Sequence, residues 1–284
     1  MKLLSFLIKT HLHLSLAHAL LIHCVMVVLL GQYNWALTLF LFGITGFVYS
    51  LNSLKDQSED QINVPQRQNL FNKFGRLILS FYTITALFAL LFLVADIQFL
   101  IAVAAIFVIG IIYSFPLFPW IQNGKLRLFR LKEIIIAKNF VTSISVAYYV
   151  FLLPFTYFRQ VPDVSVWMIV LTFMIITTVS TIICDIRDIS GDREAGIRTI
   201  ATELGRKKSL NLCYGLISIP IFISLVFTSL DMISVNGFWI IFVISATQLS
   251  VLIYDHFFRF RREFQGFASE IFAYVTALSL FLYV

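Results

Sequence analysis

"NSLKDQSEDQIN", residues Asn52 to Asn63, places Asp56, Glu59 and Asp60 between two long apolar runs. What surrounds this stretch decides what it is. Runs of about 20 apolar residues, the length that spans a bilayer as a helix, recur along the whole chain. Of 284 residues, 60% are hydrophobic and only 13% are charged, which is the composition of an integral membrane protein. The apolar runs continue to the last residue, Val284, so the N-terminal run is not expected to be a cleavable signal. Cys24, Cys184 and Cys213 have no zinc or redox spacing and read as small core residues.

Working outward from Asn52, apolar stretches fall at roughly 13–30, 34–51, 76–95, 97–113, 133–153, 165–184, 209–230, 236–254 and 265–284. The expected architecture is all-α and polytopic, with nine transmembrane helices. Basic residues alternate with the spans. They cluster after the second run (Lys55, Arg67, Lys73, Arg76), before the fifth (Lys125, Arg127, Arg130, Lys132), after the sixth (Arg187 to Lys208) and after the eighth (Arg259 to Arg262). The positive-inside rule then puts the N-terminus and these four loops in the cytoplasm and the C-terminus outside, across a cell inner membrane. The same bias accounts for the net charge of +6, so no nucleic-acid partner is implied.

Asn52, Asp56 and Asp60 stand at i, i+4 and i+8. They form one stripe if the second helix continues past Ser50. A second acidic segment, "CDIRDISGD", follows the sixth run and supplies Asp185, Asp188 and Asp192, within about 60° of one another on a helical wheel. Each segment closes an even-numbered run, four runs apart. The expectation is a single membrane domain over 1–284 built as two similar four-helix halves plus a ninth helix. The first half covers about 10–153 with its motif at 52–60, and the second about 165–284 with its motif at 185–192.

Five aspartates gathered at one helix-end cavity would repel each other and be driven towards protonation unless cations were bound. Mg²⁺ takes oxygen ligands and is typically held by one or two carboxylates plus substrate phosphates, so the two stripes read as a Mg²⁺-bridged diphosphate site. The other reading is a pair of solvated helix ends whose acids balance nearby Lys and Arg.

Asn52-x-x-x-Asp56-x-x-x-Asp60 continued as "INVPQR", with "DIRDISGD" after the sixth run, resembles the UbiA-type intramembrane prenyltransferases. "YSFP" at Tyr113 to Pro116 is similar to a Tyr-Ser segment common in that family. The resemblance runs the length of the chain. It implies transfer of a prenyl group from an allylic polyprenyl diphosphate to a hydrophobic or aromatic acceptor within membrane lipid. It also implies that Asp56, Asp60, Asp188 and Asp192 hold metal, with Asp185 as a further ligand or support and Asn52 as a neutral ligand or diphosphate donor. Arg67, Lys125, Arg127 and Lys132 are the candidates for neutralising diphosphate, and Tyr113 for stabilising an allylic cation or orienting a phosphate. Two positions depart from the family pattern. Leu117 stands where many members have Lys, and Gln68 stands where the pattern has Pro.

Lys138, about a turn inside the fifth run, either snorkels to the interface or faces the cavity. Glu270 in the ninth run is either functional or a hydrogen-bonded packing group, while His18 and His23 read as interfacial or packing groups. Two other function classes remain open: a secondary transporter or ion channel binding cations at its acids, and a non-catalytic prenyltransferase-like scaffold. Transporter sites usually lie at mid-span helix breaks, whereas these acids stand at helix ends. The dense Asp-Gly-Ala-Arg spacing of CDP-alcohol phosphotransferases is absent. Neither the acceptor nor the prenyl length is legible.

Overall fold

The computed structural model describes residues 2–94, 97–114, 118–122, 125–129, 134–135, 137–194, 196–260 and 262–283. Its elements in chain order are α1 (Lys2–Lys9), α2 (Leu12–Leu29, its last turn a π-helix), α3 (Trp35–Lys55), α4 (Gln57–Asn63), α5 (Pro65–Leu91) and α6 (Ile97–Ser114). A two-stranded antiparallel pair follows, β1 (Phe118–Gln122) against β2 (Lys125–Phe129). The second part comprises α7 (Ala137–Tyr157, with a π turn at Tyr148–Leu152), α8 (Val164–Glu194), α9 (Ile200–Ser229), α10 (Val235–Phe257) and α11 (Arg262–Ser279).

Among the described residues eight helices are long and apolar enough to cross a membrane, and a shorter apolar stretch, Ile97–Ile109, stands where the fourth span was expected. The expected cytoplasmic loop before the fifth span contains the β1–β2 pair, in which Trp120 opposes Arg127 and Gln122 opposes Lys125.

Local sequence starts several helices. Asn34 caps α3, its Oδ1 accepting from the amides of Ala36 and Leu37 at 2.9 and 3.1 Å, while its Nδ2 donates to the Tyr157 hydroxyl at the end of α7. Ser234 caps α10 and Thr199 opens α9 with a reciprocal capping box.

The pattern of exposure inverts that of a soluble protein. On α5 the stripe Leu77, Phe81, Ile84, Phe88 and Leu91 is exposed, while Tyr82, Ala86 and Ala89 face inward. These outward residues face lipid, and the inward face packs on α3. Close packing there depends on Gly43 and Gly46, since a Cβ at Gly43 would come within 2.6 Å of the Ala86 amide and one at Gly46 within 2.2 Å of the Tyr82 ring.

The helices surround an internal cavity. α2 packs on α3 and on α11, α3 on α5, and α6 on α7; α8 packs on α4, α7, α9, α10 and α11. Helix α8 is therefore the most enclosed element. With 31 residues at about 1.5 Å each it is roughly 46 Å long, against a hydrocarbon thickness of about 30 Å, so its acidic C-terminal turns extend beyond the apolar layer.

Candidate active site

A cavity of about 590 Å³ opens between α2, α3, α4, α7, α8 and α11. Away from the acids its lining mixes Ile44, Val146 and Phe272 with His18, Thr45 and Tyr149, and its other end collects Asp56, Asp60, Asp185 and Asp188 of the two motifs.

The first motif is not one continuous helix. α3 ends at Asp56, whose φ of −95° and ψ of 33° leave the helical region, and α4 restarts at Gln57. The hydrogen-bond spacing survives the break, with the Asp56 amide donating to Asn52 O at 2.8 Å and the Asp60 amide to Asp56 O at 2.9 Å. Asn52, Asp56 and Asp60 consequently all line the cavity although the expected stripe is bent between the second and third. A short polar side chain tolerates such a bridging conformation, and Asp at a helix boundary is favoured over the interior for the same reason.

Arg67 reaches back from the first turn of α5 and donates through Nη2 to both oxygens of Asp60, each at 2.9 Å. Its Nε is buried and has no hydrogen-bond partner among the described residues. Burial is the largest influence on the Asp60 carboxyl and raises its pKa; the nearby Asp188 and Asp56 charges also raise it, and Arg67 acts to lower it. Acids of both motifs are thus within electrostatic reach of one another.

The second motif stays helical within α8. Asp185 is only 2% exposed and takes Lys138 Nζ at 2.6 Å on one oxygen and Asn139 Nδ2 at 3.0 Å on the other. Asp188 is held in a fork by Arg187, Nε to Oδ1 at 2.7 Å and Nη2 to Oδ2 at 2.5 Å. Lys138, Asp185, Arg187 and Asp188 all line the cavity. The two motifs meet where α4 lies on α8. There the Gly191 amide donates to Asn63 Oδ1 at 3.1 Å, and a Cβ at Gly191 would stand 2.4 Å from that oxygen.

Each of Asp60, Asp185 and Asp188 therefore has its own cation, and among the described residues no three His, Cys, Asp or Glu side chains converge as a ready-made metal cluster. The arrangement is a pole of alternating charge at the mouth of an apolar pocket. It is suited to a ligand that is polyanionic at one end and apolar at the other.

The UbiA prenyltransferase family model matches residues 11–283. The chain belongs to that family. Among solved structures it is similar to a UbiA homolog from Archaeoglobus fulgidus bound to GPP and Mg²⁺, with 13% identity over 98% of each chain and a TM-score of 0.66. It is also similar to the apo form of a UbiA homolog from Aeropyrum pernix K1, with 13% identity, coverage of 93% of this chain and 96% of that one, and a TM-score of 0.67. A structure described for digeranylgeranylglyceryl phosphate synthase in membranes gives 18% identity, coverage of 98% and 97%, and a TM-score of 0.56. At these identities the likeness is one of fold. A comparison with curated proteins finds no match.

Of the residues expected to serve a UbiA site, Asn52, Asp56, Asp60, Arg67, Asp185 and Asp188 are brought together on the cavity wall. Asp192 is not among the lining residues. It is buried, 4% exposed, one turn beyond Asp188, where the Asn63 end of α4 covers α8. Tyr113 falls in the last turn of α6 and Lys125 and Arg127 in β2, but their side chains lie outside the described residues, as does Lys132 altogether. Lys138 faces the cavity and not the interface, as its bond to Asp185 requires. His18 is buried on the cavity wall between the Thr45 and Tyr149 hydroxyls, and His23 packs on the Tyr33 ring at 5.3 Å.

Two participants escaped the sequence reading. By charge Arg187 belongs with the basic loop, although its place inside "DIRD" marks it as a neighbour of both acids. His13, which joins Glu270 at 2.8 Å, has no local signal, since its partner is 257 residues away.

Proposed function

We propose that this membrane protein catalyses Mg²⁺-dependent transfer of a prenyl group from an allylic prenyl diphosphate to a lipid-pathway acceptor. The observation that carries the reading is the charge pole itself. Asp56, Asp60, Asp185 and Asp188 stand interleaved with Arg67, Lys138 and Arg187 at the mouth of an apolar cavity of about 590 Å³.

The residues fit Mg²⁺ by donor chemistry. All four acids offer hard carboxylate oxygens, and the mutual repulsion felt at Asp60 is what a divalent cation relieves. A preformed cluster is not needed, because Mg²⁺ commonly uses one or two carboxylates with water and substrate phosphate as the remaining ligands. Asp60 and Asp188 would hold it, with Asp56 beside them. When bound, the metal supplies charge neutralisation to the departing diphosphate. The unpartnered Nε of Arg67 is a donor suited to a phosphate oxygen, and Arg187 and Lys138 can extend the same grip. The apolar remainder of the cavity accommodates the tail and keeps water from an allylic cation. Asp192 would act through its packing beneath the Asn63 contact. Tyr113, Lys125, Arg127 and Lys132 remain proposed contributors from the α6–α7 segment. The basic loops support, by the positive-inside rule, a cytoplasmic face of a cell inner membrane for this pole, with the C-terminus outside.

The test is purified protein in detergent with geranyl, farnesyl and longer prenyl diphosphates, a panel of phenolic and glycerol-phosphate acceptors, and Mg²⁺ or EDTA, read by mass spectrometry and by diphosphate binding. Product, or at least geranyl diphosphate binding, that needs Mg²⁺ is the expected result. Absence of both would return the protein to the transporter or scaffold reading.

A further inference from the structure

Beside the acidic pole the cavity carries a second titratable unit. His13 on α2 and Glu270 on α11 meet with Nε2 2.8 Å from Oε2. On the other side of the ring, His13 Nδ1 lies 3.2 Å from the Leu7 carbonyl oxygen. A carbonyl oxygen only accepts, so Nδ1 carries a proton. Nε2 and Oε2 at hydrogen-bond distance then require a further proton between them, on the ring or on the carboxyl. In either arrangement Glu270 Oε1 is unprotonated. Both residues line the cavity, but the His13 side chain is 6% accessible and that of Glu270 20%, so the carboxylate is the member presented.

The ring is fixed in place. The Tyr274 hydroxyl donates to the His13 backbone carbonyl at 2.5 Å, and Phe267 packs on the imidazole at 5.7 Å. The pair closes α11 onto α2, yet an apolar pair would do that without the cost of burying ionisable groups in a membrane protein. An oriented, partly accessible carboxylate on the wall of a reaction cavity has a chemical use.

We propose that Glu270 is the general base of the transfer, taking the proton that the acceptor loses, with His13 as its positioning residue. The proposal rests on the prenyl-transfer reading above. As the allylic C–O bond breaks, its electron pair leaves on the diphosphate. An electron pair of the acceptor atom forms the new bond to that carbon. The proton displaced from the acceptor moves to Glu270 Oε1, and the proton already shared with His13 shifts towards Nε2, so the pair passes from one shared proton to two. The acceptor class is accordingly one with a proton to lose at the prenylated position, such as a phenol or an alcohol. The groups that face the pair are Arg67 from α5, Tyr149 from α7, Cys184 from α8, Tyr274 one turn along α11, His11 at the N-cap of α2 and His18 within α2.

The test uses the full chain in lysates of source cells lacking their own copy, given radiolabelled isopentenyl diphosphate so that donor and acceptor are both made in place. Label in prenylated lipid is the readout, alongside Mg²⁺-dependent binding of geranyl diphosphate to the purified variants. Glu270→Gln should lower incorporation by about 100-fold or more while binding geranyl diphosphate as the wild type does. Glu270→Ala should recover incorporation in part on addition of formate, which packing alone would not allow. His13→Gln should lower transfer less than Glu270→Gln does and displace the acidic limb of its pH profile. Wild-type incorporation by Glu270→Gln would overturn the base assignment alone, as would loss of donor binding in parallel with transfer, or no formate rescue in a Glu270→Ala protein that binds donor normally. Absence of both incorporation and Mg²⁺-dependent binding of geranyl diphosphate in the wild type would remove the prenyl-transfer reading and the base with it.

Discussion

The two acidic segments line the same cavity but are held by different means. In the first, the backbone breaks at Asp56, and Asp60 takes its cation from Arg67, only seven residues on, with the two side chains 16% and 22% accessible. In the second, an unbroken α8 carries Asp185 and Asp188, and the groups around Asp185 come from another helix, about 47 residues earlier in the chain. Local chain geometry arranges the first motif, whereas in the second tertiary packing supplies the partners of Asp185 and the adjacent Arg187 holds Asp188. Their contribution to chemistry should therefore be alike and their contribution to stability should differ.

Chemistry is where the largest effect is expected. Asp60→Ala and Asp188→Ala should each lower prenyl transfer by about 100- to 1,000-fold, the scale for removing one group that stabilises developing charge. Steady-state rates at saturating Mg²⁺ check this. A variant of either motif with wild-type turnover would break the equivalence and take that acid out of the metal site.

Stability should separate them. Arg187 is 9% accessible, so Asp188→Ala leaves a buried guanidinium without its fork and should cost about 3–5 kcal/mol. Asp60→Ala leaves a more accessible Arg67 and should cost about 1 kcal/mol or less. Unfolding in a fixed detergent, with Arg187→Ala/Asp188→Ala as the double variant, measures the difference. Equal losses would mean that the packing contrast has no energetic content.

A smaller effect is expected where the segments touch. Gly191→Ala puts a methyl 2.4 Å from Asn63 Oδ1 and forces that side chain off the Gly191 amide. About 1–3 kcal/mol should be lost, and transfer should fall because α4 carries Asp60 away from α8. Asn63→Ala in the same background relieves the clash. If it does not restore stability, the contact is not what positions α4.

The same contrast explains what the sequence made legible. Spans, helix-end acids and the cation within reach of Asp60 follow from composition and short spacing, and these were readable from the first motif outward. The break at Asp56 turns on one residue's dihedral angles, which an i, i+4, i+8 spacing does not encode. Lys138 could be seen to have two destinations but not which one, because the choice depends on Asp185 of a different helix. Asp192 has the right wheel position and still misses the cavity, because α4 packs over that turn. The β1–β2 pair shows in the sequence only as a basic loop, and the His13–Glu270 contact depends on α11 closing against α2, which no window along the chain contains.

The last comparison concerns protons. Asp60 lies outside the spans, and its pKa is raised above the ordinary 3.8, by burial first and then by Asp188 and Asp56, with Arg67 opposing. For a carboxyl whose pKa is higher folded than unfolded, the folded state binds more protons between the two values. The contribution to stability is thus fully present below the ordinary value and is lost as pH rises through the raised one. Without Mg²⁺, the wild type should lose stability relative to Asp60→Asn over that window, and Mg²⁺ with geranyl diphosphate should flatten the difference by favouring the ionised form. Transfer runs the other way, since the carboxylate is the form that takes metal. Activity should fall on acidification at a higher pH than an ordinary aspartate would give, and Arg67→Ala should move that limb higher still by removing the charge that opposes the shift. Thermal unfolding against pH, with and without Mg²⁺, reads the first effect, and rates for wild type and Arg67→Ala read the second. If Arg67→Ala leaves the limb in place, Asp60 is not the group that titrates, and the local ion pair of the first motif has no part in setting when the site is charged.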